Sequence, residues 1–212
     1  MTWFKNRESA AYELLPSLEK FRDKNPMILG IPRGAIPMAK IIADGLGAEL
    51  SVVLIHKIPH PIDEEFAIGS VGISGKIQLQ SYAHQFHIPE SYIQSAAEEQ
   101  IKILRKRLHK YGLPPLNLKG RTVIIVDDGI ATGATVIAAI EEVRALGAGF
   151  IVVATPVSSI GAAEQIENLV DEFISISIPE GFYAVGQFYS YFPQVSDEEV
   201  VGLLQAEHRA GP

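Results

Sequence analysis

Apolar positions along this chain change period repeatedly, and each change marks an element. Residues 10–21 carry Tyr12, Leu14, Leu15 and Leu18 at helical spacing, with Pro16 set to kink the helix or reset its start. Residues 27–31 form a short apolar run that predicts a buried strand. Ile36, Ala39, Ile42, Ala43 and Leu46 then recur along one helical face, joined to the strand by a tight Pro32-Arg33-Gly34-Ala35 link. A second strand follows at 50–55, a polar, proline-rich stretch at 59–65, and two short strands at 66–71 and 77–79 around a turn at 72–75. A long helix spans 89–110. The run 123–126 reads as another buried strand, after which Val136, Ile140 and Val143 repeat at helical spacing up to Leu146 and Gly147. A strand at 150–154, a short helix at 162–168 and a strand at 173–178 complete the series. Buried strands alternating with helices predict an α/β fold: an open, mainly parallel sheet flanked by helices, with 59–79 as an excursion from it.

Composition narrows the class without naming it. A chain of 212 residues with 47% hydrophobic content can bury one substantial core, and no linker divides it, so a single domain is expected. Cysteine is absent, which removes disulfides, thiolate metal sites and cysteine nucleophiles together. No apolar leader and no long uncharged apolar stretch occurs, so a soluble cytoplasmic protein is the default expectation. The net charge of −7 argues against a nucleic-acid partner, and the basic cluster from Lys102 to Lys110 reads as one solvated face of the long helix. His84 and His87 have helical spacing but no third or fourth ligand nearby, and are read as surface residues rather than a zinc site.

The chemistry concentrates in one segment. The strand at 123–126 runs into adjacent carboxylates, Asp127 and Asp128, and then into Ala131-Thr132-Gly133-Ala134-Thr135, a loop of small and hydroxyl-bearing residues that opens a helix. Either half alone is ordinary: Asp-Gly after a strand makes turns, and threonine before a helix makes caps. Together they offer acceptors for sugar hydroxyls beside backbone N–H groups aimed at a phosphate. The segment closely resembles the 13-residue phosphoribosyl pyrophosphate (PRPP) motif of type I phosphoribosyltransferases. The resemblance implies that Asp127 and Asp128 engage the ribose hydroxyls and that Ala131, Thr132, Gly133, Ala134 and Thr135 hold the 5′-phosphate.

Ligands in open α/β sheets lie beyond the carboxyl ends of the strands, so the loops after Ile31, Ile55 and Val126 are expected to converge on one crevice. Arg33 beside Gly34, which lacks a Cβ, suits close approach of an anion, although a turn glycine and a solvated arginine would read the same way. The family likeness makes this the pyrophosphate loop and implies a cis, non-proline peptide within it. Lys57, placed where the second strand ends and a mobile loop begins, is the candidate for a cationic contact to the departing pyrophosphate. Glu65 is read as an exposed acid, a magnesium ligand through water, or a partner for Arg33. Arg33 and Lys57 are thus the expected catalytic residues. Magnesium is the expected cofactor, and no direct protein ligand is assigned to it beyond water-mediated contacts from Asp127, Asp128 or Glu65.

The acceptor is narrowed by a departure from the family pattern. Enzymes for 6-oxopurines typically carry an aspartate where this chain has Ala131, so a nitrogen acceptor other than a typical 6-oxopurine is expected, most commonly a nucleobase. Acceptor choice in this family falls to a variable hood, for which residues 1–25 and 179–212 are the candidates around a core of about 26–178. Six aromatics crowd into 181–192 before a capped helix at Ser196. They fit a satellite core, a dimer contact or a base-stacking wall. The Ile31-Pro32-Arg33-Gly34 loop and this tail also resemble a bacterial branch of phosphoribosyltransferase-domain proteins, for which a homodimer is expected. A PRPP-binding regulator without turnover is the alternative. Neither a G-x-x-x-x-G-K-[ST] nor a G-x-G-x-x-G pattern occurs to support a kinase or dinucleotide enzyme.

Overall fold

A computed structural model of the chain describes residues 3–64 and 66–208. Glu65 lies outside the described residues, as do 1–2 and 209–212 at the extremes of the two hood candidates, and the His84 side chain is likewise not described. Five parallel strands form the main sheet: β1 (Met27–Gly30), β2 (Glu49–Val52), β6 (Thr122–Val126), β7 (Phe150–Val157) and β8 (Glu172–Ser177). They lie in the order β2-β1-β6-β7-β8. This is a doubly wound order that reverses direction between β1 and β6, so the loops leaving those two strands diverge and open a crevice at their carboxyl ends.

Alternation along the strands feeds two cores. Ile28, Ile124, Val126 and Val152 face a core that also takes up helices α1 (Arg7–Leu18), α2 (Ile36–Leu46) and α6 (Asp197–His208). Leu29, Val123, Ile125 and Val153 face the other side, against α4 (Ala134–Ala145) and α5 (Ile160–Glu167). A period of two sends neighbouring β-branched residues to opposite faces, and both faces are apolar because both are covered. Among the described residues no helix is long and apolar enough to cross a membrane.

The excursion is a second, antiparallel sheet of β3 (Ile55–Pro59), β4 (Ala67–Gly72) and β5 (Ile77–Leu79), backed by the long helix α3 (Glu90–Lys110). The strand expected at 50–55 therefore divides. Its first part belongs to β2, whereas Ile55 begins β3 and pairs with Gly72. Val53 and Leu54 between them are buried in opposite cores, so no polar residue marks the break. Helix α1 also begins earlier than expected. Asn6 caps it, its Oδ1 accepting from the Ser9 N–H at 2.9 Å while Ser9 Oγ accepts from the Asn6 N–H at 3.1 Å. Pro16 is carried inside the helix. Strand β7 runs three residues past its expected end, through a fully buried Thr155 whose hydroxyl donates to the Val157 carbonyl at 3.1 Å.

Candidate active site

Strand β6 lies between β1 and β7 and is buried through Val126, which delivers Asp127 and Asp128 to the crevice as the strand stops. The Asp127 N–H still bonds the Ala154 carbonyl at 3.2 Å. Beyond Gly129 the chain is tied back to the sheet, with the Ile130 N–H on Val157 O at 2.9 Å and the Ser159 N–H on Ile130 O at 2.9 Å. Ser159 also donates its hydroxyl to Ala131 O at 2.6 Å. The loop to Thr135 is thereby anchored at its start and, through α4, at its end.

The N-cap of α4 is Gly133, with φ +76° and no side chain of its own to satisfy the first-turn amides, of which the Ala134 N–H reaches Thr132 Oγ1 at 3.5 Å. These N–H groups line a depression of about 190 Å³ together with Asp127, Gly129, Thr132 and Thr135. An uncapped helix N-terminus in a hollow is a ready anion site. Asp127 shares this hollow, whereas Asp128 opens into a neighbouring one beside Gly34.

Loop 31–35 leaves β1 beside them. The Ile31 N–H bonds Val126 O at 3.1 Å, and the Pro32–Arg33 peptide is cis. A Cβ on Gly34 would come within 2.2 Å of Asp128 Oδ2, so only glycine lets this loop lie against the carboxylate. Arg33 is exposed and has no ion pair among the described residues. It opens into a hollow of about 450 Å³ shared with Gly34, Asp128, Arg7, Val185 and Phe192.

Lys57 is placed differently from the expectation. Because Ile55 starts a strand rather than ending one, Lys57 lies inside β3, opposite Ser70, and not at the mouth of a loop. It is exposed and lines a separate hollow of about 330 Å³ with Ala134, Thr135 and Ala138. The structure thus brings Arg33 and Gly34 to Asp128, and Lys57 to the helix end of the phosphate loop. After β3 the His60 N–H bonds Phe66 O at 2.8 Å, and Phe66 and Phe86 are in ring contact with each other and with both His60 and Tyr82.

The two acids have unlike surroundings. Burial, and then the neighbouring Asp128, push the Asp127 carboxyl well above the usual carboxylate range. Asp128 instead receives a cation, with Arg7 Nε donating to its Oδ2 at 2.7 Å. Its carbonyl accepts from the Tyr189 hydroxyl at 2.6 Å, and burial followed by the Asp128 charge raises that phenol so that it stays a donor. Val185 closes over Gly129, where a Cβ would stand 2.3 Å from its methyl group. The sequence singles out neither Arg7 nor Val185, and it offers Tyr189 and Phe192 only as part of the aromatic tail, not as partners of Asp128. Only Arg7 carries a local signal, since a cation in the first turn of a helix opposes the helix dipole and needs a partner elsewhere.

The tail aromatics divide between two duties. Phe188 and Tyr189 are buried in the main core, whereas Tyr183 and Tyr191 face solvent. Among the described residues no three acidic or imidazole groups gather into a metal cage.

The phosphoribosyl transferase domain family matches residues 4–192. An inferred phosphoribosyl transferase of Mycobacterium tuberculosis is 34% identical over 212 residues, which is 99% of this chain and 48% of that protein, so the chain spans about half the length of this curated relative. A Thermus thermophilus protein of known crystal structure superposes with a TM-score of 0.84 at 39% identity, covering 97% of this chain and 99% of that one. The purine phosphoribosyltransferase of Pyrococcus horikoshii shares the fold at 20% identity, with a TM-score of 0.50 and coverage of 92% and 95%. With the strand-end acids, the helix N-terminus beside Asp127 and a match across nearly the whole length, the chain belongs to the phosphoribosyl transferase domain family.

Proposed function

We propose that the chain is a magnesium-dependent phosphoribosyltransferase that moves the ribose 5-phosphate of PRPP to a nitrogen acceptor and releases pyrophosphate. The observation that carries this reading is the α4 N-terminus, which has no side-chain cap at Gly133 and opens into a hollow that Asp127 shares. The amides and hydroxyls of 131–135 take the 5′-phosphate, and the two acids take the ribose hydroxyls. Arg33 and the backbone beside Gly34 receive the pyrophosphate, with Lys57 adding charge from the small sheet. In the reaction the C1′–oxygen bond to pyrophosphate breaks, its electron pair leaves with the phosphate, and the acceptor nitrogen bonds C1′ and gives up its proton. Positive charge develops on the ring and negative charge on the leaving oxygens, so the exposed Arg33 is suited to the second. Magnesium, when bound, neutralises pyrophosphate oxygens while retaining much of its water. Ala131 supports an acceptor outside the typical 6-oxopurines, with a nucleobase preferred. Family likeness also supports a homodimer acting in the cytoplasm.

Calorimetry with PRPP and magnesium tests the reading, with the Asp127→Asn/Asp128→Asn double variant as control. Micromolar binding that the double variant loses is expected. Absence of binding at millimolar PRPP removes the function and leaves the fold. Lys57→Ala separates catalyst from sensor: pyrophosphate release should fall about 100-fold or more while PRPP still binds. Unchanged turnover removes Lys57 from the mechanism.

A further inference from the structure

We propose that Arg7 is a positioning residue that holds the Asp128 carboxylate against the 31–35 loop and couples the chain's tail to the sugar site. The inference rests on the PRPP reading above. Arg7 is 9% exposed, in the first turn of α1, where the helix dipole disfavours a cation. Its placement is compensated entirely from distant parts of the chain. Nε donates to Asp128 Oδ2 at 2.7 Å and Nη1 to the Pro193 carbonyl at 2.6 Å. The guanidinium lies 3.7 Å from the Phe192 ring centroid, and Phe192 in turn stacks on Tyr189 at 4.7 Å. Tyr189 then donates to the Asp128 carbonyl at 2.6 Å.

Asp128 is therefore gripped twice by one stack, at its carboxylate by Arg7 and at its carbonyl by Tyr189. The missing Cβ of Gly34 fixes the remaining side, because Oδ2 occupies the space a Cβ would need. Oδ2 is thereby committed to the protein, which fixes the plane in which the Asp128 carboxylate meets the sugar site. A lysine cannot reproduce this. Its ammonium retains charge but lacks the planar fork that serves Asp128 and Pro193 together while lying over a ring.

The test compares wild type, Arg7→Ala, Arg7→Lys and Leu14→Ala by calorimetry with PRPP and magnesium, each with a thermal melt. Leu14 is buried in the same helix and lines neither the hollow at Asp127 nor the one at Asp128 and Arg33, so its variant reports the cost of destabilising α1. Arg7→Ala should bind PRPP about 10- to 100-fold more weakly, Arg7→Lys should fall between it and wild type, and folded Leu14→Ala should keep wild-type affinity. Wild-type affinity in Arg7→Ala with a lowered Tm would make Arg7 merely structural and overturn the inference. If Arg7→Ala does not fold, Arg7→Lys decides, and wild-type affinity there overturns the inference equally. A wild-type chain that does not bind PRPP removes the functional reading and this inference with it. Wild-type binding with unaffected Arg7 variants removes the inference alone.

Discussion

Asp127 and Asp128 are adjacent in the chain and opposite in circumstance. Asp128 has a guanidinium on one oxygen, whereas Asp127 has burial and a neighbouring carboxylate against it. Its charge therefore costs stability in the ligand-free protein, as functional carboxylates commonly do. Asp127→Asn should raise the ligand-free Tm by about 2–4 °C, the shift that about 1 kcal/mol makes in a chain of this size, while PRPP binding is lost. An unchanged or lower Tm in a folded variant would show that the site stores no such cost. The residue types of this site were legible beforehand, because the acids and the 131–135 loop are contiguous. Arg7 was not, since it meets Asp128 across 121 residues of sequence.

At the scale of elements, the phosphate loop and the small sheet are joined by Glu142. This residue of α4 is 3% exposed and accepts from the Ser74 N–H at 2.8 Å and from the Ser74 hydroxyl, across the turn between β4 and β5. Gly72 leaves room for it, since a Cβ there would sit 2.0 Å from its carboxylate. Burial raises the Glu142 carboxyl above its ordinary value, although the Ser74 hydrogen bonds oppose the shift. The folded state then holds the proton more tightly than the unfolded chain. The contribution of this group to stability is full below the ordinary carboxylate pKa and is lost as pH rises through the raised one. Melting Glu142→Gln and its parent between about pH 4 and pH 8 should show the difference in Tm moving in the variant's favour across that window and levelling above it. A difference independent of pH would place the carboxyl at its ordinary value. Element types were readable from periodicity, whereas the split of 50–55 into β2 and β3 was not. Hydrophobicity records burial, and Val53 and Leu54 are buried on both sides of the break.

Across the whole molecule the two chain ends close on each other. The Phe4 N–H bonds Phe188 O at 2.8 Å, the Ser190 N–H bonds Phe4 O at 2.8 Å, and Phe4, Phe188 and Leu204 share one core with β1, β6 and β7. We propose from this that core and hood form a single domain. Heat should then unfold it in one transition seen alike by calorimetry and circular dichroism. Phe4→Ala should lower the stability of that transition by about 3–5 kcal/mol rather than release the tail alone. Two resolved transitions would separate hood from core. The sequence by itself determined the α/β class, the strand–acid–loop–helix segment and the glycine in the 31–35 loop, because each depends on residues close together in the chain. Only the tertiary structure decided that Arg7 and Tyr189 grip Asp128, that Lys57 lies in a strand beside Thr135, and that the aromatic tail is largely core. Those outcomes depend on which distant segments the closing of the sheet brings within hydrogen-bonding distance, and periodicity carries no record of that.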